Sequence, residues 1–367
     1  MADIRIEKIS TRVVTHRIHP ERVVVSPAGT HDVSHFLEVT VEGADGTRGY
    51  GEGAILAMWS GETAESAQVI IEKDFAPRLV GATFGHPREA LAEMDALLFW
   101  APATKGGVDT AIWDLWAKGQ GVAAWELFAD REPATELPSR FSVGCYDVKK
   151  SVAIATEIWE LGIRTVKFKV GVPEFDDVAR LKAVRDALGD EPVFTIDANG
   201  GYGSADEAVA AIEALLPFDL DLVEQPTPRH RYQMLSEVRR RTGVTIMADE
   251  LVFFPAQLEE ALQCDAFDIL SVYAGKNGGF TRSLDMVIRA QAAGKKCCIG
   301  SCAETDLGMA PMAMLAAGHS AFDTPRYAND FIAPLYYPES STKEPLTFRA
   351  GRLTVPRGPG FGVEPRG

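Results

Sequence analysis

The chain is short of positive charge. Lys and Arg number 37 against 52 Asp and Glu, which gives a formal net charge of -15 and a pI near 5.0. Nucleic acid and anionic membrane surfaces are recognised through basic patches, so this balance argues against both as partners. Long apolar runs are also missing: no stretch of eighteen apolar residues occurs, and the opening Met1-Ala2-Asp3-Ile4-Arg5 is too polar to begin a secretory signal. The expectation is a cytoplasmic protein with no membrane partner. Cysteine is scarce, with five residues, an odd count and no CxxC pair. This fits reduced thiols used for packing better than a disulfide framework. Low-complexity segments are absent as well.

What is present is a regular series of charged residues. Thr165-Val166-Lys167-Phe168-Lys169-Val170 is followed by Ile196-Asp197-Ala198-Asn199, Val223-Glu224-Gln225-Pro226, Met247-Ala248-Asp249-Glu250 and Tyr273-Ala274-Gly275-Lys276-Asn277-Gly278-Gly279. Each charge follows a short apolar, β-branched run, and the steps from 169 to 197, 224, 249 and 276 are 28, 27, 25 and 27 residues. That is the pitch of a βα repeat, with the charges at the carboxyl ends of successive barrel strands. A barrel takes about 250 residues, and the chain has 367, so a second domain is expected. Residues 4–54 read as a three-stranded antiparallel meander, followed by helical periodicity over 62–130. Residues 19–34, rich in Pro, Gly and His, form a long loop. The fold class is therefore α/β, a modified (β/α)7β or (β/α)8 TIM barrel at 134–325 behind an N-terminal α+β capping domain at 1–133. A C-terminal segment at 326–367 is expected to pack back on the cap. Within the barrel, residues 140–145 are the expected first strand, 297–301 the seventh and 321–323 a weak eighth.

On a closed ring these charges become a site. Lys167 and Lys169 share a strand face, and their repulsion favours loss of a proton from one of them. The sixth strand lies opposite the second, so Lys276 faces Lys169 across the mouth. Asp197, Glu224 and Asp249 occupy the arc between. Three converging carboxylates need a cation, and an all-oxygen donor set suits Mg²⁺, or Mn²⁺ in second place, better than zinc. A hard dication between opposed bases suits removal of a proton next to a carboxylate through an enediolate, a combination that general accounts of catalysis already record for enolase-type enzymes. Asn199 and Glu250 are expected to support the ligands. Glu304, Met58 and Trp59 are candidates for substrate contact, Met58-Trp59 equally for simple packing between domains. His16, His19, His31 and His35 lack ligand spacing and read as a solvated loop.

At KFK, DANGGY, VEQP, MADE and GKNGG the sequence resembles the enolase superfamily, in particular its muconate lactonizing enzyme (muconate cycloisomerase) subgroup. The likeness extends over nearly the whole chain, including Gly106-Gly107-Val108-Asp109 and Pro334-Leu335-Tyr336-Tyr337. It implies Lys169 and Lys276 as the acid/base pair, Lys167 as the tuning neighbour, and Mg²⁺ or Mn²⁺ on Asp197, Glu224 and Asp249. It also implies a small-molecule carboxylate substrate and a homo-oligomer, dimer or octamer. A lysine at the sixth strand, where the mandelate racemase subgroup uses a histidine, points to the lactonizing subgroup. Gly300-Ser301-Cys302-Ala303-Glu304-Thr305 departs from the family's methionine-containing pattern. The reactions implied are cycloisomerisation of muconate, expected first, then racemisation or epimerisation of N-acylamino acids or dipeptides, and dehydration to o-succinylbenzoate. Dipeptide epimerases of the family commonly carry Asp-x-Asp at the eighth strand, and Asp323-Thr324-Pro325 breaks that pattern. An inactive barrel acting as a ligand-binding scaffold is the alternative of a different kind. No base or ligand of the set is missing, as such a relic would show.

Overall fold

A computed structural model describes residues 3–324 and 326–366. Met1, Ala2 and Pro325, on which parts of the leader and eighth-strand expectations rest, lie outside them.

The first sheet forms because alternate residues of its strands are apolar. Strands β1 (Ile4–Arg17), β4 (Val33–Gly43) and β5 (Arg48–Ile55) make the expected meander, with β6 (Thr83–Phe84) added at the edge in the order β5-β4-β1-β6. Phe36, Leu37, Val39 and Val41 are buried. The loop expected at 19–34 is not structureless: it folds into a small hairpin, β2 (Val24–Ser26) with β3 (Gly29–His31), paired antiparallel. After β5 comes a single helical turn, α1 (Ala57–Ser60), stopped by Gly61 in the left-handed region at φ 77.

Helix α2 (Pro102–Gly119) is buried almost all round, and its glycines explain how it docks. A Cβ at Gly51 would lie 2.2 Å from the Gly107 carbonyl oxygen, and one at Gly106 would lie 2.9 Å from that of Ala274. Only glycine allows backbones so close. α2 therefore seats directly on β5 on one side and on the barrel turn that carries Lys276 on the other. Its N-terminus is held by Glu62, which accepts from the backbone N–H groups of Ala103 (3.1 Å) and Thr104 (2.8 Å), the favourable place for a carboxylate.

The barrel sheet follows β7 (Glu136–Pro138) and contains β8 (Arg140–Val143), β9 (Thr165–Lys169), β10 (Val193–Asp197), β11 (Leu220–Glu224), β12 (Ile246–Ala248), β13 (Ile269–Val272) and β14 (Lys296–Ile299), all parallel in that order. Both faces of these strands are covered, which is why runs such as Val166 to Phe168 and Phe194 to Ile196 are buried throughout. Two details differ from expectation. Lys276 is not on the sixth strand but on a short helix just past it, α3 (Ala274–Asn277). The eighth strand is reduced to isolated bridges: Phe322 pairs Cys297 near the start of β14, and Asn329 pairs Ser139 beside β8. The Asp330 N–H donates to the Ile299 carbonyl (3.0 Å) and the Arg140 N–H to the Asn329 carbonyl (2.9 Å). Asn329 Oδ1 accepts from the Ile299 N–H at 2.7 Å. The ring thus closes through Asn329 and Asp330, which bridge the carboxyl end of β14 and the start of β8, later in the chain than 321–323.

Helix α4 (Asp306–Gly318) follows β14. The tail then adds β15 (Phe348–Arg349) and β16 (Arg352–Thr354) to β7, and the Phe361 N–H reaches back to Asp114 Oδ1 on α2 at 2.7 Å. The five cysteines are free. Among the described residues no helix is long and apolar enough to cross a membrane.

Candidate active site

Register places the site. Lys169 pairs Asp197, and Asp197 pairs Glu224, so these three form one row at the carboxyl ends of β9, β10 and β11. Asp249 stands one residue past β12 and Lys276 on α3. Lys169 Nζ donates to Asp197 Oδ2 (2.5 Å) and Asn199 Oδ1 (2.9 Å). Lys276 Nζ, fully buried, donates to Asp249 Oδ1 (2.7 Å) and to the carbonyls of Asp249 and Ser271. A lysine therefore sits at each end of the carboxylate arc, with Glu224 between them.

Lys167 belongs to a different set. Its Nζ lies 2.8 Å from Asp330 Oδ2, 3.3 Å from Glu224 Oε2 and 3.6 Å from Asp197 Oδ2. Arg140 completes the cluster, with its guanidinium 2.7 Å from Asp330 Oδ2 and 3.1 Å from Glu224 Oε2. Burial and Arg140 both disfavour the Lys167 ammonium, yet Asp330, Glu224 and Asp197 outweigh them and push its pKa above the ordinary lysine value. The repulsion expected between the two lysines is thus answered by carboxylates, and Lys167 stays charged. Burial likewise opposes ionisation of Asp330, but Arg140 and Lys167 hold its carboxyl well below the usual range.

Elsewhere negative charge is in surplus. Burial, then Asp197 and Asp249, push Glu224 up to about 7. Burial, then Asp249 and Asp197, push Glu250 up to about 8. Asn199 donates to Glu250 Oε1 at 2.6 Å, while Glu250 Oε2 is buried with no partner. Among the described residues no three His, Cys, Asp or Glu side chains are drawn to one point, because Asp197 and Asp249 are turned onto lysines. The donor chemistry nevertheless fits a hard dication: the oxygens are buried, they repel one another, and one carboxylate oxygen is unpaired.

A cavity opens above this cluster, and Lys167, Lys169, Asn199 and Asp330 are among the residues that line it. Met58 and Trp59 line it too, along with Leu56, Ile332 and Tyr336. The β2–β3 hairpin supplies another wall, including His31. His31 is thus a wall residue, not part of a solvated loop, since the hairpin folds the segment inward. His16 is also drawn in, its ring 5.3 Å from that of Tyr337 and 6.0 Å from that of Phe36. Asp197, Glu224, Asp249, Glu250, Lys276 and Glu304 are buried and are not among the residues that line the cavity. Glu304 turns back on its own loop, accepting from Ser301 Oγ (2.6 Å) and the Cys302 N–H (3.0 Å), so Ser301, Cys302 and Ala303 line the cavity in its place.

Arg140, Asp330, His31 and Ile332 were missed from sequence. Arg140 carried a signal, a charged residue opening a buried strand. Asp330 carried none, because no apolar run precedes it.

Two family models cover most of the chain: the mandelate racemase / muconate lactonizing enzyme N-terminal domain over residues 8–129 and the enolase C-terminal domain-like model over 150–367. The chain belongs to the enolase superfamily. Within this family it is 27% identical over 370 residues to muconate cycloisomerase 1 of Rhodococcus opacus, covering 99% of this chain and 97% of that one. It is 32% identical over 292 residues to the hydrophobic dipeptide epimerase of Enterococcus faecalis, covering 79% and 81%. The structure of a dipeptide epimerase from Enterococcus faecalis V583, complexed with Mg and L-Leu-L-Tyr, superposes with a TM-score of 0.91 at 27% identity over 98% of this chain and all of that one. These enolase-superfamily relatives are isomerases, and they include both lactonizing and epimerising enzymes at similar identity.

Proposed function

We propose that this protein is an isomerase that forms and quenches an enediolate from a small carboxylate lacking a free α-ammonium group. The absence of a free ammonium follows from the far side of the cavity. The chain reaches the cavity at Asp330 and Ile332, and on that ground we take Asp330-Phe331-Ile332 as the counterpart of the Asp-x-Asp common in the family's dipeptide epimerases. Its one carboxylate is committed to Arg140 and Lys167, and Ile332 presents an apolar side chain to the cavity. No carboxylate is left there for an ammonium.

Lys169 and Lys276 are the proposed acid and base. One takes the α-proton and the other returns it to the opposite face, which gives racemisation or epimerisation of a carboxylate whose nitrogen is acylated. Asp197, Glu224 and Asp249 would hold Mg²⁺ or Mn²⁺, with Asn199 and Glu250 behind them. When bound, the metal supplies Lewis-acid stabilisation of the enediolate oxygens. Lys167, kept charged, offers the substrate carboxylate a fixed ammonium. Met58 and Trp59 form its roof.

A second reading is lactonization of cis,cis-muconate, favoured by the near full-length likeness to muconate cycloisomerase. There a carboxylate oxygen adds to the conjugated double bond and a lysine ammonium delivers the proton to carbon, with no atom lost. Incubation with Mg²⁺ in D₂O tests both. Deuterium at the α-carbon of N-acylamino acids with loss of optical activity supports the first, and lactone from muconate supports the second. No exchange and no lactone across a broad carboxylate set would sink enediolate catalysis and favour the scaffold.

A further inference from the structure

The cavity wall holds a hydrogen-bond chain whose direction is fixed by its last member. His31 Nε2 lies 2.7 Å from Ser34 Oγ, Ser34 Oγ lies 2.8 Å from the Tyr337 hydroxyl, and that hydroxyl lies 2.5 Å from the Ala303 carbonyl oxygen. Ser34 and Tyr337 are buried, at 2% and 7% exposure, so a bond left unmade here is not replaced by water. A carbonyl can only accept, so Tyr337 gives its one proton to Ala303. The Tyr337 oxygen must then accept from Ser34, which has one proton to give, and the Ser34 oxygen must accept from His31. Only a proton on Nε2 satisfies all three contacts. In the neutral ring the lone pair is therefore on Nδ1, which has no partner among the described residues. The groups facing the ring are Asp32, His35 and Lys169, and burial keeps it below its usual pKa.

We propose that His31 is a specificity residue fixed as the Nε2–H tautomer, which offers a hydrogen-bond acceptor to the bound substrate and selects one bearing a secondary amide N–H. The amide assignment has a second support. Trp59 lines the same cavity, and its indole N–H is buried with no partner among the described residues, a donor that an amide carbonyl would satisfy on reaching it. A second carboxylate would meet the Nδ1 lone pair and no guanidinium or ammonium beyond Lys167 and Lys169. The inference rests on the proposed function and deepens it, choosing the N-acylated substrate over muconate.

Long-range ¹H–¹⁵N spectra of the ¹⁵N-histidine-labelled protein at pH 7.5, with His31 assigned through His31→Gln, read the tautomer directly. A single Nε2–H form is expected in the wild type and a mixture in Tyr337→Phe. An Nδ1–H form in the wild type overturns the relay whatever the enzyme catalyses. Calorimetry then compares N-acetyl-L-methionine with its N-methylated amide counterpart. Wild type is expected to favour the free N–H form about tenfold or more, and His31→Leu to bind both alike. Equal binding by wild type, or binding of neither, overturns the amide assignment. The D₂O exchange above reports on the enediolate reading by itself.

Discussion

Lys169 and Lys276 are each bound to a different carboxylate, Asp197 and Asp249 respectively, which lets their roles be separated. If one serves each face of the α-carbon, Lys169→Met and Lys276→Met should both lose racemisation by about 10²–10⁴-fold. Each should keep α-deuteration of a single enantiomer, the opposite one in the two variants. Mass spectrometry on resolved enantiomers reads this, and retention of racemisation by either variant would rule out the two-base assignment. Ile332 makes a second prediction at this scale. Ile332→Asp restores a second carboxylate two residues from Asp330 and should raise exchange on dipeptides with a free ammonium at least about tenfold relative to N-acylated substrates. An unchanged ratio would remove Ile332 from the selectivity.

The elements show which parts of the site could be read from the chain alone. Lys169, Asp197, Glu224 and Asp249 were legible because each ends a short apolar strand, and the βα pitch repeats whatever the loops do. Lys276 was legible as a site residue but misplaced on a strand, since α3 is a single turn that periodicity does not detect. Ring closure was not legible: Asn329 and Asp330 have no strand pattern, and what holds them is long-range pairing with Ile299 and Arg140. The inward fold of the β2–β3 hairpin was hidden for the same reason. This closure is testable. Arg140 and Asp330 are buried partners, so Arg140→Met should cost about 3–5 kcal/mol in urea unfolding. Adding Asp330→Leu should restore at least about 1 kcal/mol, because it removes the surplus negative charge left when Lys167 alone faces Asp330 and Glu224. Strictly additive losses would show that the pair does not bind the last segment to the first strand.

At the scale of the whole molecule, the proposed site requires that the β5 sheet and the barrel stay docked, since Met58 and Trp59 follow β5 while the lysines belong to the barrel. Glu52 of β5 sits at this joint. It accepts from the Thr305 N–H at 3.0 Å and from the Thr305 hydroxyl at the N-terminus of α4, and a Cβ at Gly308 would lie 2.4 Å from its Oε1. Burial pushes its pKa up to about 8, Glu304 and Glu38 adding to the shift against the two Thr305 hydrogen bonds. In the unfolded chain a glutamate titrates near about 4.3. Between these values the folded state keeps a proton that the unfolded state has lost. The stability Glu52 contributes is thus complete below the unfolded pKa and is lost as pH rises through the folded one. Glu52→Gln keeps an acceptor for Thr305 and cannot ionise. Its melting temperature should match or fall below that of wild type at pH 4.5 and exceed it by about 1–2 °C at pH 9, the shift expected for roughly 1 kcal/mol in a chain of this length. Scanning calorimetry across that range decides it: parallel wild-type and variant curves would mean that the Glu52–Thr305 joint does not titrate with folding.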